Sequence, residues 1–168
     1  LFIWILITCL IYLSYRLQKS RIKRQRQVEE ELAYSTGHDS LTGLMNRTNF
    51  ISCLNGSLNS TKITDEGVVL LIDIDQFQLI NNTHGYATGD SCLHLLSLSI
   101  KRFLPYEAKL SRMGNDEFAV LLPSMKHEEA KAFAKSLRMH IQQLNFAEVV
   151  GSIKVTASIG ILNLDGKC

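Results

Sequence analysis

The chain is poor in the residues that build zinc modules, disulfide-rich proteins and nucleic-acid-binding proteins. It has only two prolines, and no two of its four cysteines form a CxxC pair. Neither a zinc site nor a disulfide framework is indicated, and the cysteines are expected to be thiols in a reducing compartment.

Positive charge is scarce outside residues 16–26, which hold six of the 18 basic residues; the other twelve are outnumbered by 16 acidic residues. This acidic body argues against nucleic acid as a partner.

Residues 1–15 contain no charged side chain. A membrane-spanning helix needs about 20 apolar residues, so we interpret this segment as a partial transmembrane helix. The basic residues that follow it place the rest of the chain in the cytoplasm. A cleaved signal peptide carries its charges before the apolar region, and a buried core helix is the remaining alternative. Since the chain begins with Leu and stops soon after a predicted strand, we expect a fragment at both ends.

Residues 16–37 are predicted to form a basic linker helix, because Arg, Lys, Gln and Glu dominate and no Gly or Pro precedes Gly37. The apolar stripe along this segment is rough. Two interpretations stay open: a solvated linker beside anionic lipid headgroups, or a signalling stalk that pairs two chains as a coiled coil.

The pattern of apolar residues predicts an α+β domain over residues 38–168. The predicted elements are a helix over 47–58, a buried strand over 67–74, an irregular turn over 76–89 that contains one helical turn, a helix over 91–104 with Asp90 as its N-cap, hairpin strands over 108–112 and 118–122, a helix over 126–144 and a strand over 152–162. We expect an antiparallel-rich sheet with flanking helices on one face.

Four carboxylates lie where predicted strands end. Asp73 and Asp75 lie at the end of the strand over 67–74, and Asp116 and Glu117 lie at the hairpin turn. Hard divalent cations such as Mg²⁺ prefer oxygen ligands and often combine one or two carboxylates with the phosphates of a substrate. The sequence therefore predicts a cation and phosphate site where these two strand ends meet.

Four sequence blocks in order resemble the GGDEF domain of diguanylate cyclases. They are HDxLTGLxNR at 38–47, DxDxF at 73–77 followed by Asn81, Gly85 and Gly89-Asp90, RxGNDEF at 112–118, and TxSIG at 156–160. The resemblance implies a fold like the palm of nucleotide cyclases and polymerases. It also implies a homodimer in which two domains, each holding one GTP, meet face to face and make cyclic di-GMP.

The resemblance also implies a role for individual residues. Asp73 and Asp116 would hold Mg²⁺ or Mn²⁺, with the carbonyl of Ile74 assisting. Asp116 and Glu117 would form the catalytic pair, with Glu117 as the base for the 3′-hydroxyl of a GTP that attacks the α-phosphate of a second GTP. The implied GTP contacts are Asn81 and Asp90 at the guanine edge, with Phe77, Gly114 and Asn115 around the nucleotide.

Several positions depart from the family pattern. Asn115 stands where the signature has its second glycine, and Gln78 stands where a lysine is usual. Asn82 and Tyr86 replace the usual Asp and His, and residues 105–108 lack the Arg-x-x-Asp motif of product inhibition. The family's C-terminal helix would lie beyond residue 168, so residues 38–168 are interpreted as a GGDEF domain without that helix.

Two functions follow from this pattern. The first is a diguanylate cyclase tethered to the inner membrane of a bacterium, active in its full-length form. The second is a degenerate GGDEF module that binds GTP and regulates an EAL phosphodiesterase domain, either downstream in the same chain or in a partner. The sequence keeps the metal ligands but alters several phosphate contacts. It therefore supports GTP binding better than it supports turnover of GTP.

Overall fold

In a computed structural model of the chain, the structure describes residues 16, 18, 19, 37–59, 67–146 and 154–164. The predicted transmembrane segment, residues 1–15, lies outside the described residues, as does most of the linker predicted over 16–37. Among the described residues, no helix has both the length and the apolar character needed to cross a membrane. The chain divides into two units, Leu1–Gly37 and His38–Cys168, and the sheet belongs to the second.

The described part of the second unit contains five strands and four helices. In chain order they are β1 (Met45–Asn46), α1 (Arg47–Asn59), β2 (Gly67–Ile74), α2 (Phe77–His84), α3 (Tyr86–Phe103), β3 (Lys109–Gly114), β4 (Glu117–Leu122), α4 (His127–Gln143) and β5 (Ala157–Leu164). The predicted α+β class is confirmed.

The strands form one sheet in the order β1-β3-β4-β2-β5. The pairs β3–β4, β4–β2 and β2–β5 are antiparallel, whereas the short β1 runs parallel to β3. β2 lies between two neighbours and buries most of its residues, as its continuous apolar run predicts. The antiparallel-rich sheet expected from the sequence is confirmed.

Helices cover both faces of the sheet, so the prediction of one covered face was wrong. Alternate residues of a strand point to opposite faces. Leu70 and Ile72 of β2 contribute to the larger core, together with buried residues of α2, α3 and α4. Val69 contributes to a second core with Phe50, against which Leu54 packs, so α1 covers the opposite face. Helical spacing identifies an apolar stripe but does not say which face of a sheet the stripe covers.

The segment over 76–89, predicted as an irregular turn with one helical turn in it, contains far more helix than predicted, because α2 and the start of α3 occupy it. Gln76 adopts a left-handed conformation, with φ of 56°, and carries the chain from β2 into α2 without the glycine that usually marks such a turn. Asp90 lies inside α3 rather than at its N-cap, which is Gly85. α3 ends where predicted, because Leu104 precedes Pro105 and is extended, with ψ of 146°.

The last strand begins later than predicted, at Ala157. Thr156 is not in the strand: its carbonyl accepts a hydrogen bond of 3.0 Å from the backbone N–H of Asp75. The alternating pattern therefore continues upstream of the strand into a segment that packs on the turn after β2. Residues 152 and 153 of the predicted strand lie outside the described residues.

Candidate active site

The end of β2 and the start of β4 lie side by side, which brings the predicted carboxylates together. Asp73 is directly opposite Glu117 in the antiparallel register. Such pairs point to the same face of the sheet and have Cβ atoms about 5 Å apart. The backbone N–H of Ile74 donates a hydrogen bond of 3.3 Å to the carbonyl of Asp116, so the hairpin turn is tied to the end of β2.

Negative charge accumulates at this junction. The pKa of Asp73 is raised above its ordinary value, first by partial burial and then by the charges of Asp116, Glu117 and Asp75. Like charges directly opposite each other destabilise a sheet. A bound cation would relieve that repulsion.

The donor set at the junction fits Mg²⁺ or Mn²⁺. Within the described part of the chain, no three His, Cys, Asp or Glu side chains form a complete metal cage. Mg²⁺ does not need one, since it binds through one or two carboxylates and takes its other ligands from water and phosphate. Asp73 and Asp116 would supply two carboxylates. The carbonyl of Ile74 leaves the strand on the same edge as its N–H, which is bonded to the hairpin.

The hairpin turn itself consists of Asn115 and Asp116 between β3 and β4. Gly114 has φ of 147° and Asn115 has φ of 40°. Side chains are strained in the first conformation, whereas Asn tolerates the second better than most residues. Asn115 therefore fits the backbone of the turn, and its exposed side chain is what distinguishes it from a glycine.

Arg112 anchors this turn, a role that the sequence did not reveal. Its Nε and Nη2 atoms donate hydrogen bonds of 3.0 and 2.7 Å to the carbonyl of Asn115. Its Nη1 contacts both carboxylate oxygens of Asp39 at 3.1 and 3.2 Å. Thr42 holds the same carboxylate through its backbone N–H and its hydroxyl. One guanidinium thus joins the segment before β1 to the turn of the site.

The charge of Asp39 is stabilised by these contacts. Partial burial works against the charge, but the hydrogen bonds from Thr42 and the contact with Arg112 outweigh it and lower the pKa of Asp39. The ion pair is largely shielded, with side-chain exposures of 13% for Arg112 and 23% for Asp39. The signal in the sequence was the isolated basic residue just before the signature.

Five of the predicted site residues border one cavity, here called the α2–α3 cavity. It has a volume of about 510 Å³. Its lining comprises Phe77, Gln78, Asn81, Tyr86, Asp90, Leu93, Arg112, Asn115 and Asp116. Six of these nine residues are polar or charged, so the cavity offers a ligand many hydrogen-bonding groups beside the aromatic and apolar side chains of Phe77, Tyr86 and Leu93.

Gly89 shapes this cavity, and the predicted site residues did not include it. It is buried inside α3, and a Cβ at this position would overlap the side-chain oxygen of Asn81 and lie 3.1 Å from Cζ of Phe77. Only glycine lets α2 approach α3 closely enough to place Asn81 where it is. A glycine inside a helical pattern is the signal of such a close contact.

The other predicted site residues do not border the α2–α3 cavity. Asp73 and Glu117 border a second cavity of about 510 Å³, here called the sheet-face cavity, on the face that carries α1. Arg47 and Ser158 also line it. Gly114 lines neither cavity. The predicted site residues are therefore divided between two cavities, and the neighbouring residues Asp116 and Glu117 line one each.

Asp75 belongs to the structure beside the site. Its carboxylate accepts hydrogen bonds from the hydroxyls of Thr156, at 2.6 Å, and Ser158, at 2.7 Å. These two bonds, with a smaller contribution from the charge of Arg138, lower the pKa of Asp75 against the opposing effect of burial. Asp75 fixes the start of β5 against the end of β2, and its oxygens are engaged there.

Comparison with known proteins agrees with this geometry. The family model described as "Diguanylate cyclase, GGDEF domain" matches residues 36–167. The chain is 30% identical over 146 residues to diguanylate cyclase DgcM of Escherichia coli, covering 86% of the chain and 35% of DgcM. It is 32% identical over 142 residues to the cyclic di-GMP phosphodiesterase PdeR of the same species, covering 83% of the chain and 21% of PdeR. The chain thus spans about a third or less of these relatives.

Among solved structures, the fold resembles the coiled coil and GGDEF domain of DgcB from Caulobacter crescentus, solved in complex with c-di-GMP. The TM-score is 0.76 at 24% identity, over 89% of this chain and 81% of that one. At this identity the likeness establishes the fold alone.

Proposed function

The chain belongs to the GGDEF domain family of diguanylate cyclases, and on this basis we propose that residues 38–168 bind GTP with a divalent cation and work as one half of a cyclase. Two such domains would condense two GTP into cyclic di-GMP. The observation that carries the proposal is the convergence of Phe77, Asn81, Asp90 and Asp116 on one cavity beside Asp73.

The α2–α3 cavity is the proposed guanine pocket. Guanine presents N–H donors that a carboxylate accepts, so Asp90 would read the edge that distinguishes guanine from adenine. Asn81 offers both a donor and an acceptor for the same edge. Phe77 supplies an apolar wall, and the absence of a side chain at Gly89 keeps the amide of Asn81 in place.

The junction of β2 and β4 is the proposed reaction centre. Asp73 and Asp116, with the carbonyl of Ile74, would hold Mg²⁺ or Mn²⁺. A cation there supplies charge stabilisation for the phosphate under attack. Glu117 is the proposed base: it takes the proton of a 3′-hydroxyl, whose oxygen then bonds to the α-phosphorus of the second GTP as pyrophosphate leaves.

One half-site cannot complete this reaction, because each GTP must present its 3′-hydroxyl to the other. We therefore propose a homodimer as the active form. The charge-free residues 1–15 would anchor it in the inner membrane of a bacterium, and the basic residues 16–37 would hold two domains in register.

Product formation tests the proposal. Incubation of the full-length protein with GTP and Mg²⁺ is expected to yield cyclic di-GMP, detected by mass spectrometry, whereas residues 1–168 alone are expected to be inactive. Glu117→Gln should abolish the product while leaving the fold intact. Glu129→Gln, a control at an exposed position of α4, should leave the rate unchanged. GTP binding without product from the unmutated full-length protein would reject the cyclase.

The second candidate is a GTP-binding regulator of an EAL phosphodiesterase. It is favoured by Asn115, whose side chain lines the α2–α3 cavity, and by the similarity to PdeR. If the unmutated full-length protein binds GTP without turnover, Asn115→Gly tests whether Asn115 is the reason. Product from the glycine variant would identify Asn115 as the cause of inactivity. No product would support a regulator whose defect includes Gln78.

A further inference from the structure

The turn between α3 and β3 carries a fully exposed tyrosine. The carbonyl of Pro105 accepts a hydrogen bond of 3.0 Å from the backbone N–H of Ala108, which closes a β-turn with Tyr106 and Glu107 at its centre. Tyr106 is 101% exposed, and within the described part of the chain its hydroxyl makes no hydrogen bond. A hydrogen-bonded turn thus holds an aromatic ring in solvent.

Two lysines lie beside this tyrosine. Lys101 is in the last turn of α3 and Lys109 begins β3. Both are exposed, and neither forms a hydrogen bond or an ion pair with another described residue. We refer to Lys101, Tyr106 and Lys109 as the Tyr106 face.

The Tyr106 face borders one cavity, which has a volume of about 550 Å³. His38, the first residue of the second unit, also lines it. The described residues that line the cavity include no Asp or Glu, although the chain outside residues 16–26 is acidic overall. Glu107, the carboxylate of the turn, lines a different cavity. The charge of the Tyr106 face therefore suits an anionic partner.

The Tyr106 face is distant from the candidate active site. Lys109 is opposite Leu121 in the register of β3 and β4, whereas Gly114 is opposite Glu117. Five residues of strand separate Lys109 from Gly114, a distance of about 17 Å. A partner on the Tyr106 face therefore leaves the nucleotide cavities open.

We propose that the Tyr106 face docks on anionic lipid headgroups of the bilayer that anchors the chain. This inference rests on the membrane anchor in the proposed function. Each basic side chain close to an anionic bilayer strengthens binding about fivefold. Tyrosine is enriched at membrane interfaces, because its ring is apolar and its hydroxyl is polar.

The chain order favours lipid over other anionic partners. His38 directly follows residues 16–37, which lead from the predicted membrane segment. This tether would make binding to the bilayer intramolecular, so a face with only two lysines and one tyrosine is sufficient. The contact is compatible with the interpretation of residues 16–37 as a linker beside anionic headgroups.

Photo-crosslinking of the full-length protein in a reconstituted bilayer tests the contact. Tyr106 is replaced by benzoylphenylalanine, and the bilayer is either phosphatidylcholine alone or equal parts of phosphatidylcholine and phosphatidylglycerol. After irradiation, lipid adducts at position 106 are quantified by mass spectrometry. We expect the anionic bilayer to give at least about fivefold more adduct than the neutral one. The control is the same replacement at Tyr86, which is 77% exposed beside the α2–α3 cavity and should give little adduct in either bilayer.

Two double variants test whether charge drives the contact. Lys101→Gln combined with Lys109→Gln removes both cations of the Tyr106 face and should lower the adduct yield at position 106 about tenfold or more in the anionic bilayer. Lys135→Gln combined with Lys154→Gln removes two exposed cations that border neither the Tyr106 face nor its cavity. This control should leave the yield unchanged.

Three results would overturn the proposal. They are a crosslink from position 106 to a second protein chain in place of lipid, equal adduct yields in the two bilayers, and a yield that is unaffected by the loss of Lys101 and Lys109.

Flotation of the unmutated protein with vesicles separates this inference from the proposed function. If the protein floats but position 106 gives no lipid adduct, this inference alone is wrong. If the protein does not float, the membrane anchor in the proposed function is wrong, and this inference with it.

Discussion

Gly89→Ala tests whether close packing of α2 on α3 positions the proposed guanine contact. Alanine is favoured over glycine inside a helix by about 1 kcal/mol, so propensity alone predicts a more stable protein. The new Cβ, however, would overlap the side-chain oxygen of Asn81 and approach Cζ of Phe77 to 3.1 Å. Overpacking of this kind costs about 1–3 kcal/mol, which offsets or exceeds the gain.

Gly56→Ala is a matched control in the same chain. Gly56 also lies in a helix, α1, but a Cβ there would have no neighbour within 4 Å. We expect Gly56→Ala to raise the free energy of unfolding by about 1 kcal/mol. Gly89→Ala should be less stable than this control by about 1–3 kcal/mol, measured by denaturant unfolding. The gain in helix propensity is the same in both variants, so it cancels when their free energies of unfolding are compared.

The functional consequence is sharper than the effect on stability. Displacement of the Asn81 side chain would cost its two proposed hydrogen bonds to guanine, each worth about 0.5–1.5 kcal/mol. Calorimetry should therefore show GTP binding to Gly89→Ala weaker by roughly 5- to 150-fold, and unchanged binding to Gly56→Ala. If Gly89→Ala matches the control in both stability and GTP affinity, Gly89 does not position Asn81 and the argument is refuted.

Three other substitutions test the surroundings of the site. Arg112→Lys breaks the fork between Asp39 and the Asn115 carbonyl and should lower unfolding free energy by about 1–3 kcal/mol. The fold lowers the pKa of Asp39, so its charge stabilises the protein at neutral pH and this stability is lost as the pH falls through the lowered pKa. In Arg112→Lys, the decrease of Tm with falling pH should therefore be smaller. Asp73→Asn removes a carboxylate whose pKa is raised, so the repulsion between carboxylates that exists above that pKa disappears. The Tm of the ligand-free protein at neutral pH should rise by a few degrees. Mg²⁺ with GTP should no longer raise the Tm of this variant. Asp75→Asn should speed amide hydrogen exchange at the start of β5.

Each of these predictions has a contradicting result. If Tm decreases with falling pH as much in Arg112→Lys as in the unmutated protein, the guanidinium does not stabilise the charge of Asp39. A lower Tm in Asp73→Asn would mean that the carboxylates do not repel one another in the ligand-free protein. Unchanged exchange in Asp75→Asn would mean that its hydroxyl partners do not hold the strand.

Local pattern predicted much of the fold. The strand over 67–74 has the predicted bounds, because its apolar run begins after Glu66 and ends among the carboxylates of Asp73 and Asp75. α1, α4 and the hairpin lie within a few residues of their predicted positions. The errors lie where tertiary contacts override local preference: α2 forms although its start is a left-handed Gln76 without a glycine.

Part of the candidate site could also be predicted from the sequence, and part could not. Asp73, Asp116 and Glu117 could be grouped from the sequence because each lies at a strand end, and the register of β2 and β4 places those ends together. The contacts of Arg112 with Asp39 join positions 73 residues apart. No local pattern reports such a contact. Gly89 was visible as a motif residue, but its role depends on Asn81 in a different helix.

The most direct test of the central claim is a comparison of GTP and ATP in the presence of Mg²⁺. The affinities of the two nucleotides for the unmutated chain are measured by calorimetry. Adenine lacks the N1–H and N2–H donors that guanine would offer to Asp90, and an unsatisfied polar group costs about 1–3 kcal/mol. We therefore predict that GTP binds about tenfold or more tightly than ATP. Equal affinities, or no binding of either nucleotide, would contradict the assignment of the α2–α3 cavity as a guanine pocket.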